Sequence, residues 1–244
     1  MDVFNVDPEN PRRTIIWGPV ASAKTGMLAF CIKRVARQQL SYLTFLPNIL
    51  CSEDEALHHS RDGVSFSGVP FRYLEAAKAL VLDKKPQVVF IEEVQFVPEL
   101  AAFLDFLSDE CISVIMTGLS SRHDGEPWPV IRDIIHTCNV VQLTGICYLC
   151  GSTNALYSQN VTGKSLGPSH ILLDTVKQPD HDQFRPVCRS CFHVIEEAPG
   201  DALERVLKIM RPHAGPLNTP VDSVEIYVGA PRVETFRLDE LVTD

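Results

Sequence analysis

An α/β fold organised around a parallel sheet is what this sequence predicts, and three observations predict it. Short, β-branched, nearly continuous apolar runs stand at residues 14–17 (TIIW), 88–91 (VVFI) and 112–116 (ISVIM), the pattern of strands buried on both faces. Segments with helical periodicity lie between them, so strand alternates with helix and right-handed crossovers follow. The 244-residue chain is 45% hydrophobic and 22% charged, with 17 prolines spread along it, which suits one folded domain with an appendage and excludes disordered, collagenous and disulfide-packed classes.

The elements follow in order. After the first strand, residues 25–37 place Leu28, Ile32 and Val35 on one helical face, and residues 73–82 do the same with Leu74, Ala77, Leu80 and Val81. A third helical segment, 100–107, is apolar nearly all round, and the run 140–143 (VVQL) reads as a last strand leading into a cysteine-rich region. Beyond it Asp201 can cap a helix through Met210, with Glu204 at the reciprocal capping position. A Pro/Gly-rich link, 212–220, precedes a half-buried strand in which Val224, Ile226 and Val228 alternate with Glu225 and Tyr227. The expected division is a nucleotide-binding α/β domain over 13–144, a cysteine-based domain over 145–193, and a C-terminal extension over 194–244 with no assigned role.

Lys and Arg number 22 against 31 Asp and Glu, a net charge of −9 that lacks the clustered basic footprint of a nucleic-acid binder. No stretch of about 20 apolar residues can span a bilayer, and the N-terminus MDVFNVDPENPRR has neither the basic start nor the apolar middle of a signal peptide. A soluble, cytoplasmic protein without nucleic-acid or membrane partners is expected.

Chemistry concentrates where strand, loop and helix meet at Gly18-Pro-Val-Ala-Ser-Ala-Lys-Thr25. This fits the phosphate-binding loop GxxxxGK[ST], with Ala23 in place of the second glycine. Backbone N–H groups of such a loop, Ser22 and Ala23 among them, wrap phosphates, Lys24 neutralises transferring charge, and the Thr25 hydroxyl helps hold Mg²⁺. An alanine at a backbone position of unusual angles costs about 1–2 kcal/mol and crowds the phosphate. The alternative is an ordinary strand-to-helix turn with a chance lysine. At the end of the second strand, VVFIEEVQF brings Glu92 and Glu93 to the carboxyl edge of the sheet, where open α/β sheets place ligands. There Glu92 can assist a metal and Glu93 can act as general base, unless the pair is merely solvated. Asp62, in SRDG, is a third acidic candidate or simply part of a turn.

Cys147-Tyr-Leu-Cys150 and Cys188-Arg-Ser-Cys191 each offer two thiolates three residues apart, half of a tetrahedral zinc site. Unmetallated buried thiols and redox chemistry are the alternatives, and one CxxC would suffice for the latter. The remaining cysteines, Cys31, Cys51, Cys111 and Cys138, read as core fillers.

Together these motifs resemble those of the type II (cellular and viral-type) thymidine kinases. GPVASAKT is similar to their GPMxSGKT, SRDG to SHDG, IEEVQF to IDExQF, and GLSSRHDGEPW to GLDxDFRGEPF. ICYLCG is similar to xCxxCG and FRPVCRSC to YxPxCRxC, so the matches run in order over about three quarters of the chain, from Ile15 to Cys191. The resemblance implies a P-loop domain of RecA-like fold, a four-cysteine zinc domain carrying a lasso loop, and transfer of the ATP γ-phosphoryl group to the 5′-hydroxyl of deoxythymidine. By position it implies that Gly18, Ser22, Ala23, Lys24 and Thr25 bind the phosphates, and that Thr25, Asp62 and Glu92 serve Mg²⁺. Glu93 takes the proton of the hydroxyl, and Val20, Phe96, Leu119, His123 and Phe184 surround the nucleoside. Zinc is structural, ATP and deoxythymidine are the substrates, and a tetramer is the implied assembly.

The chain departs from the family pattern at several of these places. Val20 stands for methionine, Ala23 for glycine and Glu92 for aspartate; Ser120, His123 and Asp124 stand for Asp, Phe and Arg; Pro179 and Asp180 replace a Gly-Gly pair; and Phe184 lacks a tyrosine hydroxyl. Two functional readings follow: a working deoxynucleoside kinase, and a non-catalytic member that keeps the scaffold and serves as a regulatory or interaction subunit.

Overall fold

The structure is a computed structural model, and it describes residues 6, 10–51, 57–59, 63–160, 184–192, 223–227 and 233–237. A sheet of six parallel strands forms its centre, in the order β5-β2-β6-β7-β1-β8. Three of these strands, β1 (Arg13–Gly18), β6 (Val88–Ile91) and β7 (Ser113–Leu119), are the three apolar runs, and β8 (Asn139–Gln142) is the fourth strand expected from sequence. Helices α1 (Lys24–Arg37), α2 (Leu74–Lys84) and α3 (Leu100–Asp109) also fall where the periodicity puts them.

Strands β2 (Tyr42–Pro47) and β5 (Val69–Phe71) and the short helix α4 (Pro129–Ile134) escape the sequence pattern. Each carries a proline that breaks the usual signal. Pro47 ends β2, Pro70 lies in β5 at the sheet edge where a missing N–H costs no ladder bond, and Pro129 opens α4 where the N–H has no intrahelical partner. A short antiparallel pair, β3 (Leu57–His59) with β4 (Ser65–Ser67), precedes β5.

Alternate residues of the central strands feed two cores. Ile15, Val89, Ile91, Val114 and Met116 face α2, α3 and α4, while Ile16, Val88, Phe90, Ile115 and Val141 face α1. Helices thus cover both faces, three against one. On the three-helix side Phe45, Phe71 and Phe103 meet edge to face at centroid distances of 5.1–5.7 Å. The central strands are buried on both faces, and the loops leaving β1, β6 and β7 share one edge of the sheet.

A second, smaller unit holds the paired cysteines. Strands β9 (Ala155–Asn160) and β10 (Phe184–Cys188) pair antiparallel, with Leu149, Ala155, Val187 and Phe192 as their own buried cluster. The backbone of β11 (Ser223–Tyr227) and β12 (Val233–Arg237) forms another antiparallel pair, and β11 spans most of the expected late strand. The helix expected over 201–210 and Val228 lie outside the described residues. Among the described residues no helix is long and apolar enough to cross a membrane.

The core-filler reading of the odd cysteines needs correction. Cys31 is buried, but Cys51 and Cys138 are half-buried and Cys111 is exposed. Cys111 follows α3 in a left-handed turn, φ 58°, that swings the chain into β7 and leaves its side chain outside the core.

Candidate active site

The loop after β1 owes its shape to two backbone demands. A Cβ on Gly18 would lie 2.5 Å from the Leu143 carbonyl oxygen and 2.7 Å from Ser22 Oγ, so only glycine fits beside β8. At Ala23 the chain is left-handed, φ 60° and ψ 21°, and Ala21 is also left-handed at φ 54°. The position expected to demand unusual angles does demand them, and alanine meets the demand at a cost of about 1–2 kcal/mol.

Inside the loop, Ser22 Oγ donates to the Pro19 carbonyl at 2.9 Å, and the buried Lys24 Nζ donates to the same oxygen at 2.6 Å. The first turn of α1 contains no acidic residue, and no side chain caps its N-terminus. Its N–H groups and dipole therefore present positive potential, the arrangement that binds phosphate.

Sheet order brings the acidic pair to this loop. Strand β7 lies between β1 and β6, with Ile16 paired to Thr117 and Ile91 to Met116, so Glu92 comes level with Thr117. The Thr117 hydroxyl donates to Glu92 Oε2 and accepts the Glu93 N–H at 3.0 Å. Across β7, the Thr25 hydroxyl donates to Glu92 Oε1 at 2.6 Å. Glu92 is fully buried. Burial first, and the neighbouring Glu93 charge second, push its carboxyl up to about 7, against the pull of Thr117, Thr25 and Lys24.

Glu93 is half-buried and itself left-handed, φ 48°, at the start of a 3-10 turn over Val94–Phe96. Ala21, Ala23 and Glu93 are left-handed non-glycine residues at this edge of the sheet, and Gln39, Lys85, Glu99 and Cys111 are left-handed at turns elsewhere. Gln95 Nε2 donates to Glu93 Oε2, and Gln95 Oε1 accepts the Leu119 N–H at 3.2 Å.

Four of the five expected nucleoside-side residues, Phe96, Leu119, His123 and Phe184, lie in or against loop 119–128, while Val20 is tied to β9. Leu119 ends β7, Phe96 meets Trp128 edge to face at 5.7 Å, and the His123 ring meets Phe184 edge to face at 6.4 Å. Asp124, in place of the family's arginine, forms an ion pair with Arg122, so a cation remains in the segment but two positions earlier. The Val20 N–H donates to Ser158 Oγ at 2.9 Å, and Ser120 Oγ donates to the Leu156 carbonyl at 2.8 Å, tying both the phosphate loop and this segment to β9. Asp62, Pro179 and Asp180 lie outside the described residues.

Cys147, Cys150, Cys188 and Cys191 come together with all four sulfur atoms within 4.8 Å of one another, although 37 residues separate the two pairs. Cys150 Sγ and Cys188 Sγ are 3.7 Å apart. A tetrahedron with bonds of about 2.3 Å has edges of about 3.8 Å, so the donor set fits zinc. Gly151, at φ 73°, closes the first knuckle by donating its N–H to the Cys147 carbonyl at 2.9 Å. Tyr157 stacked on Phe192 at 4.4 Å and the Arg185 guanidinium over Tyr148 at 5.4 Å pack the knuckles.

Sequence reasoning singled out neither Thr117 nor Gln95 nor Ser158. Gln95 was visible within IEEVQF, but the partners of all three are settled by which strands are neighbours. Nothing among the described residues favours the regulatory-subunit reading.

Comparison with known proteins agrees with this geometry. The family model described as thymidine kinase matches residues 13–192. A thymidine kinase of Mycoplasmoides gallisepticum is 31% identical over 71% of this chain and 77% of its own length. One of Thermococcus kodakarensis is 33% identical over 62% and 79%, and one of Mesoplasma florum 26% identical over 74% and 90%. With the family model spanning well over half of its length and a relative 31% identical over most of both chains, the chain belongs to the thymidine kinase family.

Proposed function

We propose that the protein transfers the γ-phosphoryl group of ATP to the 5′-hydroxyl of deoxythymidine. The observation that carries this reading is the bond from Thr25 of the phosphate loop to Glu92, which puts phosphate-binding and acidic groups at one point with Glu93 beside them. In-line transfer requires little covalent chemistry from the protein: it requires positioning, a proton acceptor and charge neutralisation. Loop N–H groups and Lys24 hold the phosphates. Glu93 accepts the proton of the attacking hydroxyl.

The oxygen donors fit a hard cation, since the Thr25 hydroxyl and the Glu92 carboxylate already touch. Thr25, Glu92 and Asp62 would hold Mg²⁺, which when bound neutralises charge on the phosphates. Glu92 is one methylene longer than aspartate, which suits contact through water. Val20, Phe96, Leu119, His123 and Phe184 surround the base, with imidazole in place of the family's stacking ring. The four cysteines hold a structural zinc that organises 145–193, beside the α/β domain over 13–144 and the extension over 194–244. A cytoplasmic tetramer without nucleic-acid or membrane partners completes the proposal.

Phosphoryl transfer from ATP and Mg²⁺ to each deoxynucleoside tests it. Deoxythymidine should be phosphorylated, and Glu93→Gln should lower turnover by about 10²–10⁴ with nucleoside affinity nearly intact. Parent activity no higher than that of Glu93→Gln would refute the reading.

A further inference from the structure

We infer that Gln95 is a positioning residue for the reaction: its side-chain amide holds the Glu93 carboxylate in one rotamer and ties it to the loop that borders the nucleoside. The inference rests on the kinase reading above, because it concerns the group assigned there as proton acceptor.

Gln95 is buried, and both ends of its amide are engaged. Its N–H donates to Glu93 Oε2 while its carbonyl oxygen accepts the Leu119 N–H at 3.2 Å, where β7 ends and loop 119–128 begins. Gly118 lies beside the amide, where a Cβ would stand in ordinary contact with Gln95 Oε1 at 3.5 Å but would press on Ile131 at 2.8 Å and Val94 at 3.0 Å. Glu93 is held from two sides, through its backbone N–H on Thr117 Oγ1 and through its carboxylate on Gln95.

The two carboxylate oxygens then differ. Oε2 is occupied by Gln95, while Oε1 has no hydrogen-bond partner among the described residues and is the oxygen open to the hydroxyl. A glutamate side chain left untethered would spread over several rotamers. Proton acceptance needs heavy-atom distances of about 2.6–3.2 Å, so a fixed rotamer acts on turnover more than on binding. Because the same amide holds Leu119, a shift of loop 119–128 is passed to the carboxylate by one side chain.

The test compares Gln95→Met, similar in shape but without either hydrogen bond, with Gln95→Glu, which keeps an acceptor for the Leu119 N–H and replaces the amide N–H that Glu93 accepts. Both should lower kcat by about tenfold while KM for ATP and deoxythymidine stays within about twofold, the signature of an interaction used in the transition state. In a Glu93→Gln background Gln95→Met should change kcat by less than about twofold, because two residues acting as one unit are not additive. Full kcat in Gln95→Glu, or a tenfold loss that persists undiminished in the Glu93→Gln background, overturns the inference and leaves the kinase reading standing. An inactive parent protein removes both.

Discussion

Ala23 is held left-handed at φ 60°, a backbone cost of about 1–2 kcal/mol that bears on folding, while its methyl group bears separately on the room left for a phosphate. Ala23→Gly should therefore raise stability by about 1 kcal/mol in urea unfolding, and separately tighten ATP binding by roughly tenfold in titration calorimetry. A stability gain without an affinity gain would show that the phosphates clear the methyl. Glu92 answers to pH. Its folded-state value of about 7 lies above the roughly 4.3 of an unfolded chain, so the folded protein keeps a proton over that interval that the unfolded chain has released. The group's contribution is fully present below about pH 4.3 and is lost as pH rises through about 7. Glu92→Gln, measured free of metal and nucleotide, should be more stable than the parent by on the order of 2–3 kcal/mol near about pH 8, with the difference closing toward about pH 5. Equal denaturant midpoints at both pH values would contradict this.

Elements differ in how much they rely on local signal. Strands β1, β6 and β7 are apolar throughout because the sheet is covered on both sides, and that pattern is visible in four to seven consecutive residues. Strands β2 and β5 are held in place by what packs on them instead. Phe45 and Phe71 lock against Phe103 of α3, so β5 survives as a strand despite Pro70. Phe103→Ala should cost about 3–5 kcal/mol, read in chemical unfolding, since the ring is wholly buried between two others. A loss below about 1 kcal/mol would mean the three-ring cluster collapses to fill the gap. At the site, element order matters more than element type. β7 brings the Thr117 hydroxyl to Glu92 Oε2 while Thr25 holds Oε1, so Glu92 sits between the two threonines, and loop 119–128 hangs from the end of β7.

At the scale of the whole molecule, hydrogen bonds join the cysteine unit to the GPVASAKT loop and to the segment after β7. Ser158 and Leu156 of β9 receive bonds from Val20 and Ser120, while Gly145 packs so closely on Pro186 that a Cβ there would lie 3.0 Å from it. Structural zinc of this kind contributes on the order of 10 kcal/mol to folding. Chelation should accordingly loosen residues 144–193 before the six-stranded sheet melts, and hydrogen exchange should report added exposure at Val20 and Ser120 as well. Simultaneous loss of sheet and cysteine unit, or well under one zinc per chain, would count against it. How much of this was legible follows from the range of each interaction. Buried strands, the GPVASAKT loop, the IEE carboxylates and the CxxC pairs are sequence-local, so periodicity and spacing determined the fold class and named the candidate site residues, and the resemblance of the ordered motifs gave the family. Distances between chain-distant residues are not encoded in any window. Only the tertiary structure decided that Thr117 bridges Glu92 and Glu93, that Gln95 joins Glu93 to Leu119, that Ser158 reaches Val20, and that Cys111 faces outward, because each depends on which strands become neighbours and where a turn directs the chain.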